Sequence, residues 1–326
     1  MVINLKKYFV IILLSSFIWV NFGQGQDFLS QPASQLYKVP SIGNLKFFTA
    51  LSLPSPFIDT HLQNSLGYGQ SAKIKIPVME INGEPLYAIT GSSLYTNLVF
   101  EYQYRVQEWL GVWGRIGVLA RLGTEAGAIL SQGITAATNF ELGWLFRLHR
   151  GERHLLSTSF SLNNSSSTFV DIYSFVKTAI DSGGITPDNK IVKDSPTIIS
   201  NADLRYALAL NDFIGLTALV KLSYGESMDR KSGNEMNYSL GGLFHFNLDQ
   251  KTDAPIGVAA GYQFSALPDN EIFSSEEMQS IILKITYTGR PDLDIGVEMT
   301  MSKAPVKGLE ENATYYSTML SMFYYF

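Results

Sequence analysis

The chain ends N-A-T-Y-Y-S-T-M-L-S-M-F-Y-Y-F, residues 312 to 326. Counted in twos from the end, Phe326, Tyr324, Met322, Leu320, Thr318, Tyr316 and Thr314 share one face. Tyr325, Phe323, Ser321, Met319, Ser317 and Tyr315 share the other. A period of two in a stretch this rich in aromatics reads as a β-strand with two unlike faces. No charged residue occurs from Asn312 onward. At an open sheet edge in water such a strand would be an aggregation hazard. Closing the sheet into a barrel within a membrane removes the edge and gives one face to lipid. A sandwich strand would also alternate, so the rest of the chain has to separate the two.

Dyads of the same kind run through residues 72–81, 93–106, 109–122, 134–149, 154–163, 201–211, 213–225, 236–248, 256–265, 278–288 and 293–302. The cleanest, 293–302, sets Leu293, Ile295, Val297, Met299 and Met301 against Asp294, Gly296, Glu298, Thr300 and Ser302. The weakest, 72–81, has Pro77 in its middle. Crossing a bilayer at a tilt takes about 9–11 residues per strand, and these segments are long enough. The fold class expected is therefore all-β, a transmembrane antiparallel up-and-down β-barrel of about twelve strands. Brief strand-like runs at 45–53 and 86–91 leave fourteen open.

The terminal stretch resembles the closing strand of Gram-negative outer-membrane barrels, which end on Phe preceded by alternating apolar residues. Tyr324 and Phe326 carry that resemblance. It implies an assembly signal read by the barrel-assembly machinery, an outer-membrane location, and N- and C-termini in the periplasm. With Phe326 at the periplasmic end, short turns fall around Gln107, Arg150-Gly151, Asn211-Asp212, Asp249–Asp253 and Gly289–Asp292. The opposite connections, 82–92, 123–133, 164–199, 226–235, 266–276 and 303–311, are all longer, an asymmetry that a sandwich does not require. Tyr224, Tyr238, Phe264 and Tyr316 would form an outer aromatic girdle, and Tyr104, Phe146, Phe246, Tyr287 and Phe326 an inner one.

Composition agrees. Charged residues make up 16% of the chain, where a soluble domain averages about 25%. A net charge of -5 gives no reason to expect nucleic acid. The absence of cysteine excludes disulfides, cysteine-ligated metals and cysteine nucleophiles. Residues 1–25 read as a signal peptide, with Lys6 and Lys7, an apolar run from Tyr8 to Val20, and small residues at Gly23 and Gly25. Residues 26–71 are punctuated by Pro32, Pro40, Pro54 and Pro56, which suit a closed ladder badly. They are expected to form a plug or a periplasmic extension ahead of a barrel spanning 72–326.

On the lumen parity the dyads place Glu101, Arg105, Arg115, Arg121, Glu141, Arg147, Asp203, Arg205, Lys221, His245, Lys284, Asp294 and Glu298. Glu101, Arg115 and Glu141 on consecutive strands suggest an acid–base–acid ladder. Lys221 should fold back near Asp203, and Lys284 should lie diagonal to Glu298. Charges against a low-dielectric wall usually pair. Bracing of the wall and a polar path for solute are both open. In the long connection, Phe169, Ile172, Tyr173, Val176 and Ile180 recur at helical spacing before Gly183-Gly184, as a gate helix or a cover for the rim. Of four histidines, His149 and His245 fall on the lumen parity, and none is placed for interfacial acyl hydrolysis. No catalysis, cofactor or metal is expected.

Gln31-Pro32-Ala33 resembles the N-P-A that often begins the plug of fatty-acid and aromatic-hydrocarbon channels, with Gln31 where that family has Asn. The resemblance implies a hydrophobic solute. The function expected is a channel for passive uptake, or binding, of a small solute, with outer-membrane lipid and the assembly machinery as partners. The alternative is a structural or adhesive barrel with a packed lumen and partner-binding outer loops.

Overall fold

Alternation along the strands turns polar side chains inward and apolar ones outward in the computed structural model. It describes residues 39–72, 74–81, 84–123, 134–170, 192–226, 233–252, 254–266, 277–305 and 312–326. A small hairpin, β1 (Ser41–Ile42) and β2 (Leu45–Lys46), precedes the first barrel strand, β3 (His61–Ser71). A second hairpin, β4 (Ile74–Ile81) and β5 (Glu84–Gly91), pairs only with itself. The barrel continues through β6 (Ser93–Gln107), β7 (Leu110–Gly123), β8 (Ile134–Arg150), β9 (His154–Val170) and β10 (Val192–Ala209). It is completed by β11 (Ile214–Glu226), β12 (Asn234–Asn247), β13 (Ile256–Ala266), β14 (Glu277–Tyr287), β15 (Leu293–Ala304) and β16 (Ala313–Tyr325). A single-turn helix, α1 (Asp249–Thr252), joins β12 to β13.

These twelve barrel strands are antiparallel, each bonded to its neighbours. The C-terminal strand closes the ring on β3, with Leu320 opposite Leu66 and Tyr325 opposite His61. The outward face carries Leu66, Phe100, Ile116, Phe140, Phe160, Val220, Phe244, Leu283 and Leu320, all exposed. A continuous apolar belt of this kind is anomalous in water and is the lipid face of a transmembrane barrel.

Eleven of the twelve expected strands match barrel strands, and the first does not. Residues 72–81 were expected to open the barrel, but His61–Ser71 does so. Pro77 lacks a ladder donor, and the β4–β5 pairing slips register beside it, whereas β3 pairs without interruption on both sides. The barrel therefore begins at His61 rather than at residue 72. Neither 45–53 nor 86–91 joins it, which settles twelve strands over fourteen. β9 and β10 extend beyond the expected 154–163 and 201–211 and take up much of the 164–199 connection. Phe169 accordingly lies in a strand, opposite Thr135 and Lys193, not in a helix. Connections at the end holding the C-terminus are the shorter ones, with one exception. Residues 248–255, which contain α1, outnumber residues 227–233 at the other end.

Candidate functional site

The barrel does not enclose an empty lumen. Residues 39–60 enter it from the short-turn end and pack against three apolar patches on an otherwise polar inner wall. Ile42, Leu45, Phe47 and Phe57 meet Leu155, Ala207 and Ala209. Phe48, Ala50 and Leu53 meet Leu219, Leu243, Ala259 and Ile282. Ile58 meets Trp113 and Leu145. Two glycines provide the space. A Cβ on Gly215 would stand 2.4 Å from Leu45 Cδ2, and one on Gly257 would stand 2.1 Å from Phe48 Cζ.

Beyond β2 this segment forms no ladder, so its buried backbone groups need other partners. Lumen side chains supply them. Lys284 Nζ donates to the Thr49 carbonyl at 2.5 Å. Glu298 accepts from the Leu51 amide at 2.9 Å and from Ser52 Oγ at 3.3 Å. Arg205 Nη1 donates to Ser55 O at 2.8 Å, Ser157 Oγ to Pro56 O at 2.7 Å, and Gln103 Nε2 to Phe57 O at 3.0 Å. The Phe48 amide donates to His245 Nδ1 at 3.2 Å, which leaves the ring proton on Nε2, directed at Thr217 Oγ1 2.9 Å away. At the mouth, Lys46 Nζ donates to Thr288 O at 2.9 Å.

This placement corrects one expectation. Lys284 and Glu298 are directly opposite in the ladder, not diagonal, and both turn to the N-terminal segment. His245 keeps the inward face and lies beneath that segment, against Phe47 and Phe48.

Above the segment lies a cavity of about 280 Å³. Its floor is Thr49 to Ser52 with Pro54 and Ser55, and its charged wall includes Glu101, Arg115, Glu141, Asp203, Arg205 and Lys221. Arg115 stands between Glu101 and Glu141 in register, as the acid–base–acid ladder requires. Its ion pair is with Glu101, 2.6 Å from Nη2, while Glu141 accepts from Ser161 Oγ at 2.5 Å and Asn201 Nδ2 at 3.1 Å. Asp203 faces Lys221 across the ladder but is held bidentately by Arg205, at 2.7 and 2.9 Å. Among the described residues, Lys221 has no hydrogen bond or ion pair.

His61 was expected in an N-terminal extension, and it instead extends this network. Its ring lies 2.5 Å from Asp59 Oδ1 on one side and 3.4 Å from Glu101 Oε1 on the other. Gln103 also donates to Asp59 Oδ1, at 2.9 Å. The signal available in the sequence was the alternation of His61, Gln63 and Ser65 against Leu62 and Leu66. Asn64 on the outward face diluted it.

The other expected residues lie elsewhere. Arg121 reaches Thr135 at 3.1 Å, towards the long-loop end. Arg105 and Arg147 sit near the short-turn end, on the inward face. Asp294 accepts from Tyr325 Oη at 3.3 Å. A register shift between Arg147 and His149 takes His149 off the lumen face, and it stacks on His154. Tyr324 and Phe326 face outward, edge to face at 4.9 Å. Ile172, Tyr173, Val176 and Ile180 lie outside the described residues, as do Gln31-Pro32-Ala33 and residues 1–25.

No protein-family model and no curated protein matches the sequence. Among solved structures the chain is similar to the translocator domain of autotransporter NalP from Neisseria meningitidis, at 8% identity and a TM-score of 0.47, over 82% of this chain and 88% of that one. It is similar to an outer membrane channel from Pseudomonas putida F1, at 10% identity and 0.49, over 82% and 96%. It is also similar to the CymD monoaromatic hydrocarbon channel, at 9% identity and 0.43, over 89% and 99%. These likenesses carry no residue role or solute to this chain.

Proposed function

We propose that the chain is an outer-membrane barrel that binds a small polar solute in its lumen and admits it passively when the N-terminal plug yields. Residues 1–25 would direct export, and both termini would lie in the periplasm. One observation carries the reading, the cavity of about 280 Å³ between the charged wall and the floor formed by the plug. A purely structural barrel has no need of a void lined by ionised groups, since each is costly to bury. The volume is at the small end of ligand pockets. Its charged lining favours a polar solute over the hydrophobic one implied by Gln31-Pro32-Ala33.

Planar-bilayer recording of the full chain beside a chain lacking residues 39–58 tests this. The expected result is a nearly silent full chain and a steady current from the shortened one. A steady current from the full chain would remove the plug from the account. Silence from both would favour the structural or adhesive alternative.

A further inference from the structure

Two charged groups remain when the ion pairs of the cavity are matched. Arg115 holds Glu101, and Arg205 holds Asp203. Glu141 receives both its hydrogen bonds on Oε1, and among the described residues none reaches Oε2. The Lys221 ammonium feels Glu141 and Asp203 only at a distance and, among the described residues, makes no hydrogen bond or ion pair. The two groups do not meet each other. Asn201 stands between them, its amide nitrogen on Glu141 and its oxygen accepting from Ser223 Oγ at 2.7 Å. Lys221 is the next inward residue to Ser223 on β11. An acid and a base are thus held apart, too far for a direct bond, with both side chains lining one cavity.

An unpaired cation facing a low-dielectric interior is unfavourable unless something completes it. The wall as a whole limits what that can be. With the His61–Asp59 pair set aside, Glu101, Glu141 and Asp203 balance Arg115, Arg205 and Lys221, so a solute of either single charge would leave one group unmatched. A molecule carrying both charges matches both. We infer that the cavity is a site for a small zwitterion of the α-amino-acid class, its carboxylate on Lys221 and its ammonium on Glu141 Oε2. The inference rests on the solute-binding reading and names the class of solute.

Isothermal titration of the detergent-folded full chain with alanine and serine tests it, alongside N-acetylalanine, alaninamide and the neutral polyol glycerol. Both amino acids should bind, with N-acetylalanine and alaninamide at least tenfold weaker. Lys221→Gln should abolish the preference over alaninamide, and Glu141→Gln the preference over N-acetylalanine. Retained heat-modifiable gel mobility would show that each variant is still a folded barrel. Equal binding of the amino acids and their blocked forms would overturn the zwitterion assignment. Binding of glycerol or a singly charged analogue without the amino acids would overturn it while leaving the solute reading standing. No binding by any of these probes would overturn both.

Discussion

Lys284 and Glu298 face each other across the β14–β15 ladder, yet both direct their charges to the N-terminal segment, Lys284 to the Thr49 carbonyl and Glu298 to the Leu51 amide. An acceptor and a donor two residues apart on one strand of chain are gripped by a base and an acid on the wall. Together the two contacts fix the height of the segment within the lumen.

Lys284→Met should loosen that grip. A hydrogen bond to a charged group contributes about 1.5–3 kcal/mol, so the segment should open roughly tenfold or more often. Limited proteolysis of the folded barrel within residues 39–60 reads this directly. The double variant Lys284→Met/Glu298→Gln should be milder than the sum of the two, because it also removes the uncompensated carboxylate. Unchanged protection in Lys284→Met would contradict the latch.

Gly257→Val separates the plug from the sheet. Valine suits a strand, so the barrel should form as before. Its Cβ would occupy the space of the Phe48 ring, and the segment should be displaced. The expected outcome is normal heat-modifiable mobility with new conductance. Phe48→Ala should act in the same direction by loss of burial, worth about 3–5 kcal/mol. A silent Gly257→Val barrel would count against the seat.

Asp203→Asn should destabilise the barrel itself. Arg205 is buried and gives its guanidinium to Asp203, Ser159 and Ser55. Removing the acid leaves a buried cation short of its partner, a loss of about 3–5 kcal/mol in urea unfolding. Arg205→Lys should also weaken the site, because lysine cannot form the bidentate fork. A midpoint unchanged in Asp203→Asn would contradict the assignment.

Phe326→Ala should affect assembly more than stability. The ring faces outward beside Tyr324 and is 45% exposed, while the backbone amide bonds Thr60 whatever the side chain. If the terminal aromatics are an assembly signal, the folded fraction in cell membranes should fall several-fold, with little change in the unfolding free energy of protein refolded in detergent. A parallel fall in both would make the residue structural.

Much of this architecture is legible in the sequence because lipid inverts the usual code. A strand such as Leu293–Ala304 puts Ile295, Val297 and Met299 outside and Asp294 and Glu298 inside, and a period of two reports that directly. The same parity places Glu101, Arg115 and Glu141 side by side, since antiparallel neighbours fall into register once turn lengths are read. The partners of those residues are less legible. Parity says that Lys284 points inward, but not that an irregular segment more than two hundred residues away in sequence will lie against it. That segment has no period to read, because its contacts follow the shape of the wall. The same limit hid His61. Prolines up to Pro56 gave the whole region the look of a tether, and Asn64 on the lipid face weakened the dyad that follows.

The presence of residues 39–60 inside the lumen is tested most directly by a cross-link. The chain has no cysteine, so Leu53→Cys with Gly241→Cys introduces a single pair. A Cβ on Gly241 would lie 3.4 Å from Leu53 Cγ, the atom bonded to the Leu53 Cβ, which puts the two Cβ atoms near the roughly 3.5–4.5 Å that a disulfide spans, and Leu53→Cys removes the one close contact, Leu53 Cδ2. Oxidation of the folded barrel should link the two positions almost completely, seen as one joined peptide by mass spectrometry after digestion. Two free thiols, both open to a water-soluble maleimide on a barrel of normal gel mobility, would contradict the account.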